Sequence, residues 1–132
     1  MNNLFNNRTL CALICFVLGL FIATSVSIAQ EKHDEDLKKK YAPILGEYEF
    51  DWRPAIFILY VYIEDGSLWA DFNNGSPATM ESQGDEPFEF KAEDPVSGIF
   101  EIKFLEDDQG EYTICHLVIT SLGLDVKGNK IK

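Results

Sequence analysis

The chain has 132 residues, of which 46% are hydrophobic, and its 22 acidic residues outnumber 11 basic ones for a formal net charge of -11. A field of that sign repels nucleic acid and anionic lipid, and favours a basic partner or plain solubility. Three cysteines and two histidines leave little room for a disulfide scaffold or a histidine-built metal site.

In chain order, Arg8 is the only charge before the apolar run Leu10–Ala23, and Ser27-Ile28-Ala29 follows with small residues at both ends. That order of charge, apolar run and small-x-small site reads as a signal peptide over residues 1–29, cleaved before Gln30. The competing reading is a retained membrane anchor, because counting Thr24–Ala29 extends the run towards the ~20 residues a spanning helix needs. Cys11 and Cys15 lie too early for a lipoprotein site. Cleavage leaves 103 residues with a net charge of -12 and Cys115 as the lone thiol. This suits one small exported domain, periplasmic or extracellular, with no intrachain disulfide. Cys115, between Ile114 and Leu117, reads as a buried space-filler.

Residues 30–36 read as a flexible leader, followed by a short helix at Glu35–Tyr41 that has acids first and lysines last. From there to Lys132 the pattern is strand and tight turn. Gly46–Asp51 alternates, and Ala55–Glu64 (AIFILYVYIE) is a long apolar strand closed by Asp65-Gly66. Ser67–Phe72, Ala78–Glu81, Phe88–Ala92 and Ile99–Leu105 follow, with Asn73-Asn74-Gly75 as a second hairpin signal. Glu111–Thr120 is another long strand, and Leu124–Lys132 looks broken at Gly128-Asn129, with Ile131 as an edge rung. Regular short strands with hairpin-length links predict an all-β fold. The expected form is a small antiparallel meander of seven to eight strands over 37–132, closed or nearly closed as a barrel, with a short N-terminal helix.

Certain landmarks recur in order. They are Leu37–Phe50 (LKKKYAPILGEYEF), Asp65-Gly66-Ser67-Leu68, Asp85-Glu86-Pro87-Phe88, Ile102-Lys103-Phe104 through Gly110 to Leu117, and Gly128-Asn129-Lys130-Ile131. Together they resemble the small lipocalin-like domain found at the C-terminus of exported serine β-lactamase-related and peptidase-like proteins. The resemblance implies a lipocalin-like barrel acting as an accessory module, and it carries no catalytic residues over. Two departures stand inside the match. Tyr41 and Gly46 are separated by four residues where the family's Y-x-G opening has one, and Ala55–Ile63 is more apolar than the family's second strand.

Chemistry finds little support. His116 is the one histidine outside the leader, and no G-x-S-x-G context accompanies it. His116 and Cys115 point to opposite faces of one strand and cannot share a zinc ion. Glu106, Asp107, Asp108 and Glu111 lack the spacing of a calcium loop and read as a solvated turn. No catalytic residue, metal or cofactor is therefore expected, and the leading function is a non-catalytic exported binding or protein-interaction module.

The expected ligand or partner surface comprises Ile56, Ile58, Tyr60, Tyr62, Trp69, Tyr112, Ile114, His116 and Val118. If the two long strands were neighbours, Ile56, Ile58 and Tyr60 would meet Ile114 and Val118 in an exposed patch of several hundred Å2, which a soluble monomer seldom tolerates. The expected occupant is an unknown protein partner or a second copy, with no nucleic acid and no membrane after signal cleavage. The alternatives are a carrier of a small apolar ligand within the barrel and, third, a hydrolase-like enzyme. A cavity above about 300 Å3 near Tyr60, Tyr62 or Trp69 would mark the carrier. A filled interior would mark the interaction module. A serine or paired acids within about 3 Å of His116 would mark the enzyme.

Overall fold

A computed structural model describes residues 29–72 and 75–132. The segment 1–29 expected as a signal peptide, save its last residue, and the hairpin signal at Asn73-Asn74 lie outside the described residues. Asp34–Lys132 forms a compact unit apart from the residues up to His33.

Helix α1 covers 29–41, so the residues expected as a flexible leader are helical and the helix begins earlier than Glu35. The sequence supplies the reason: Asp34–Lys38, Glu35–Lys39 and Asp36–Lys40 are three acid-before-base pairs at helical spacing, the favourable orientation. Leu37 and Tyr41 turn towards the core, and Tyr41 meets Phe90 edge-on at 5.8 Å. Asp34 Oδ1 accepts the Gly66 N–H at 2.6 Å.

The strands are β1 Gly46–Trp52, β2 Ala55–Glu64, β3 Ser67–Phe72, β4 Ala78–Thr79, β5 Glu81–Ser82, β6 Glu89–Asp94, β7 Gly98–Glu106, β8 Tyr112–Ile119 and β9 Leu124–Lys130. They form one antiparallel sheet in the order β4-β3-β2-β1-β9-β8-β7-β6-β5. β4 and β5 are halves of one strand bent at the buried Met80. β4 pairs with β3, β5 pairs with β6, and the Met80 N–H donates to Leu68 O at 2.8 Å. The two ends of the sheet thus meet at Met80, giving a nearly closed meander barrel. Its nine strands exceed the expected seven to eight because the bend divides one of them.

The turns follow the local chemistry. Asp65 and Gly66 have φ of 49° and 73°, the pair of positive values a two-residue hairpin needs. The Arg53-Pro54 bond between β1 and β2 is cis. Period-two alternation then sends Tyr48, Phe50, Leu59, Val61, Leu68, Ala70, Phe90, Phe100, Ile102, Phe104, Cys115 and Leu117 inward. Phe50 stacks on Phe57 at 5.0 Å, and the edge-on contacts Phe57–Phe72 and Phe72–Phe100 extend the aromatic packing. These side chains make up the core of the barrel.

β9 departs from expectation. It is a continuous strand, unbroken at Gly128-Asn129 and paired on both sides, with β8 and with β1. Gly128 makes this fit possible: a Cβ there would lie 2.7 Å from Glu49 O and 2.8 Å from the Phe50 ring. At the seam's other end Gly46 has φ of 141°, and a Cβ would lie 2.1 Å from Lys132 O. The Glu47 N–H donates to Lys132 O (3.1 Å), and the Ile131 N–H donates to Glu47 O (2.8 Å). Lys130 Nζ donates to Pro43 O and sits 5.8 Å from the Tyr48 ring centroid. Tyr48 is buried and its hydroxyl donates to Ile44 O at 2.9 Å.

Candidate functional site

Two surfaces emerge from this frame, an outer wall and an open end. The even-numbered residues of β2 face outward. Register places Asp51 opposite Ile56, Glu49 opposite Ile58 and Glu47 opposite Tyr60 on the β1 side. On the β3 side Asp71 faces Tyr60, and Trp69 faces Tyr62. The wall is therefore a strip of Ile56, Ile58, Tyr60, Tyr62 and Trp69 flanked by carboxylates. Trp69 Nε1 donates to Glu64 O at 3.0 Å, which lays the indole along the sheet. Burial first, and then the charges of Asp71 and Glu64, push the Tyr62 phenol above its usual pKa. From Gly46 to Phe90 the sequence carries ten acids and a single cation, Arg53, whose Nε lies 3.2 Å from Asp51 Oδ2.

The expected joining of this strip to β8 does not occur. β1 and β9 lie between β2 and β8, which puts the two faces about 14 Å apart along the sheet. The intervening outward positions hold Glu47, Glu49 and Asp51 on one strand, and Asp125, Lys127 and Asn129 on the other. Ile114, His116 and Val118 form a separate, half-buried face of β8.

Tyr112 is a second correction. The register shifts between Leu105 and Glu106, so that Ile114 pairs with Leu105 and Tyr112 with Glu106, leaving Thr113 as the extra residue. One inserted residue reverses the facing of everything beyond it. Tyr112 consequently leaves the outer face, packs against the core and meets Phe88 edge-on at 4.7 Å.

His116 Nε2 lies 2.7 Å from Asp125 Oδ1 on the neighbouring strand. That is one acid and no serine, where the hydrolase alternative called for a serine or a pair of acids. The acidic turn after β7 has a structural use. Asp107 Oδ1 accepts the N–H groups of Gln109 (2.8 Å) and Glu111 (3.0 Å), and Oδ2 accepts the Thr113 hydroxyl (2.9 Å). Among the described residues, no group of three or more His, Cys, Asp or Glu side chains is placed to hold a metal ion. Cys115 is buried, and burial pushes its thiol far above the ordinary pKa.

At the end of the barrel away from α1 there is an apolar depression of about 420 Å3. Trp52, Ala55, Phe57, Phe72, Ile119, Leu122 and Leu124 line it, with Ser97 as a polar member. It exceeds the size set for a carrier, but Tyr60, Tyr62 and Trp69 do not line it. Trp52 does line the mouth of a depression, as its amphipathic ring suggests, but the turn residue Leu122 that joins it there is not part of the expected surface. The uncharged turns Pro95-Val96-Ser97 and Thr120–Gly123 were the available signal.

These features define a small antiparallel β-barrel with an acid-flanked aromatic wall and one open apolar end. No family model, curated protein or solved structure matches the chain.

Proposed function

We propose that this chain is an exported, non-catalytic binding module that docks a basic protein partner on the outer wall of β1, β2 and β3. The observation that carries the reading is the composition of that wall. Aromatic and aliphatic side chains run down its middle, Glu49, Glu64 and Asp71 flank them together with Glu47 and Asp51, which pair with Lys132 and Arg53, and β1, β2 and β3 themselves carry no lysine or arginine. Tyrosine and tryptophan give large contact area at small entropic cost and attract cationic side chains to their faces. Carboxylates around them speed the approach of a basic surface and bias the choice of partner. The charge apportionment supports this direction: Lys91, Lys103, Lys127 and Lys130 all lie on β6, β7 and β9. Export rests on the N-terminal charge, apolar run and small-residue site. The lipocalin-like resemblance adds the expectation of an accessory module without its own chemistry.

The test is affinity capture on immobilised Gln30–Lys132 from the exported fraction of producing cells, run in parallel with Tyr60→Ala/Trp69→Ala and with Lys91→Ala on the far wall. The expected result is a basic protein retained by the wild type and by Lys91→Ala, lost from the double variant and released by raised salt. Retention that ignores Tyr60 and Trp69, or no retained protein, would refute the docking face.

A further inference from the structure

The open end of the barrel has a character opposite to the rest of the molecule. Among the described residues the exposed large apolar side chains are Trp52 (45%), Ile56 (64%), Val96 (85%), Ile99 (46%), Leu122 (52%) and Ile131. All but Ile131 lie in or beside the turns at this end. Three of those turns, Arg53-Pro54, Pro95-Val96-Ser97 and Thr120–Gly123, contain no acid, in a chain that has 22. The turns at the α1 end are acidic by contrast, with Asp65, Asp85, Glu86, Asp107, Asp108 and Glu111. Glu93, across from Ile99, is an exposed carboxylate at this end, and two others beside the turns are engaged. Asp51 pairs with Arg53, and Asp94 is buried with Oδ1 accepting the N–H groups of Val96 (2.7 Å) and Ser97 (2.6 Å).

Some of the polar groups in two of these turns are satisfied from within. Ser121 Oγ donates to Ser97 O at 2.6 Å, and the Gly123 N–H donates to Thr120 O at 3.2 Å. Each such bond lowers the cost of taking that turn out of water. Besides the exposed Arg53, which pairs with Asp51, and the hydroxyls of Ser97, Thr120 and Ser121, this rim offers chiefly aliphatic side chains and an amphipathic tryptophan that protrude from separate turns, a poor match for the dense pairing a protein partner would want. Tryptophan is the residue favoured at a membrane–water interface, and apolar side chains beside it supply shallow anchorage.

We infer that the open end is a docking site for an uncharged lipid surface, with Trp52, Val96 and Leu122 as the inserted residues and the acidic end held away in water. This goes beyond the protein-docking wall and depends on different residues. It also revises the expectation of no membrane contact, which rested on net charge and not on where the charge sits.

The test uses the fragment Gln30–Lys132, since the core from Ile44 to Leu124 and the residues packed on it from Leu37 lie wholly within it. Trp69→Phe leaves Trp52 as the sole indole. On phosphatidylcholine vesicles its emission should shift to the blue and be quenched by lipids brominated on their acyl chains, whereas Trp52→Phe, which keeps Trp69, should show neither effect. Val96→Asp/Leu122→Asp should lower the vesicle-bound fraction at least tenfold, and phosphatidylglycerol in the vesicles should weaken binding in a way that salt restores. Three results would overturn the inference: no Trp52 response at millimolar lipid, a response that follows protein concentration without lipid, which means a second copy, and a response produced only by a small soluble apolar probe.

Discussion

Replacing Gly128 with alanine tests how the barrel is closed. Gly128 is buried in β9, and an added Cβ would lie 2.7 Å from Glu49 O and 2.8 Å from two carbons of the fully buried Phe50 ring. Real Cβ atoms do not approach so closely, so either the ring leaves its place against Phe57 or β1 and β9 separate. Overpacking of this kind costs about 1–3 kcal/mol. Opposing it, loss of a glycine stiffens the unfolded chain and stabilises by about 0.4–1 kcal/mol. The clash should win, leaving a net loss of about 1–2 kcal/mol, which for a domain of this size is a fall in Tm of about 5–15 °C. Urea titration of Gln30–Lys132 is the assay, with Phe50→Leu in the alanine background expected to recover part of the loss. An alanine variant within about 0.5 kcal/mol of wild type would mean that the Phe50 ring does not rest on the β9 backbone, and the described β1–β9 seam would be wrong.

Three further outcomes follow from buried polar groups. Tyr48→Phe removes the buried hydroxyl that donates to Ile44 O and should cost about 1–2 kcal/mol in the same titration. Asp94 is held below the ordinary carboxylate pKa by the Ser97 N–H, and by Val96 N–H against the opposing effect of burial. Its contribution is therefore complete above the unfolded value near about pH 4 and is lost as pH falls through the lower folded value. Asp94→Asn keeps the turn's acceptor without the titration, so its stability should fall less than wild type between about pH 5 and pH 3. Cys115, buried with its thiol pushed strongly upward, should resist alkylation in the native state and react only on unfolding, measured by mass spectrometry across the urea transition.

The sequence made the barrel wall legible because period-two alternation is a local signal. Phe50, Leu59, Val61, Leu68, Phe100, Ile102, Phe104 and Leu117 all face inward as that pattern requires. Closure was less legible, because it depends on contacts far apart in the chain. A glycine that reads as a break at position 128 is what lets Phe50 lie against β9. The wall of β2 and β3 could be read from Tyr60, Tyr62 and Trp69, but its joining to β8 could not, since only strand order separates the two. Tyr112 was misplaced by a single inserted residue, Thr113, which has no signature in composition. The open end eluded the pattern for a related reason: Trp52, Leu122 and Val96 belong to three turns that alternation does not describe.

Photo-cross-linking tests the docking wall most directly. A cross-linking residue placed at Ile58, in the middle of the strip, is compared with one at Lys91 on the far wall, in cells that produce the protein. The account expects a discrete adduct with a basic protein from position 58, none from 91, and loss of the adduct when Glu49→Lys and Asp71→Lys reverse the flanking charge. Adducts of equal yield from both walls, or an adduct from position 58 that survives the charge reversal, would contradict it.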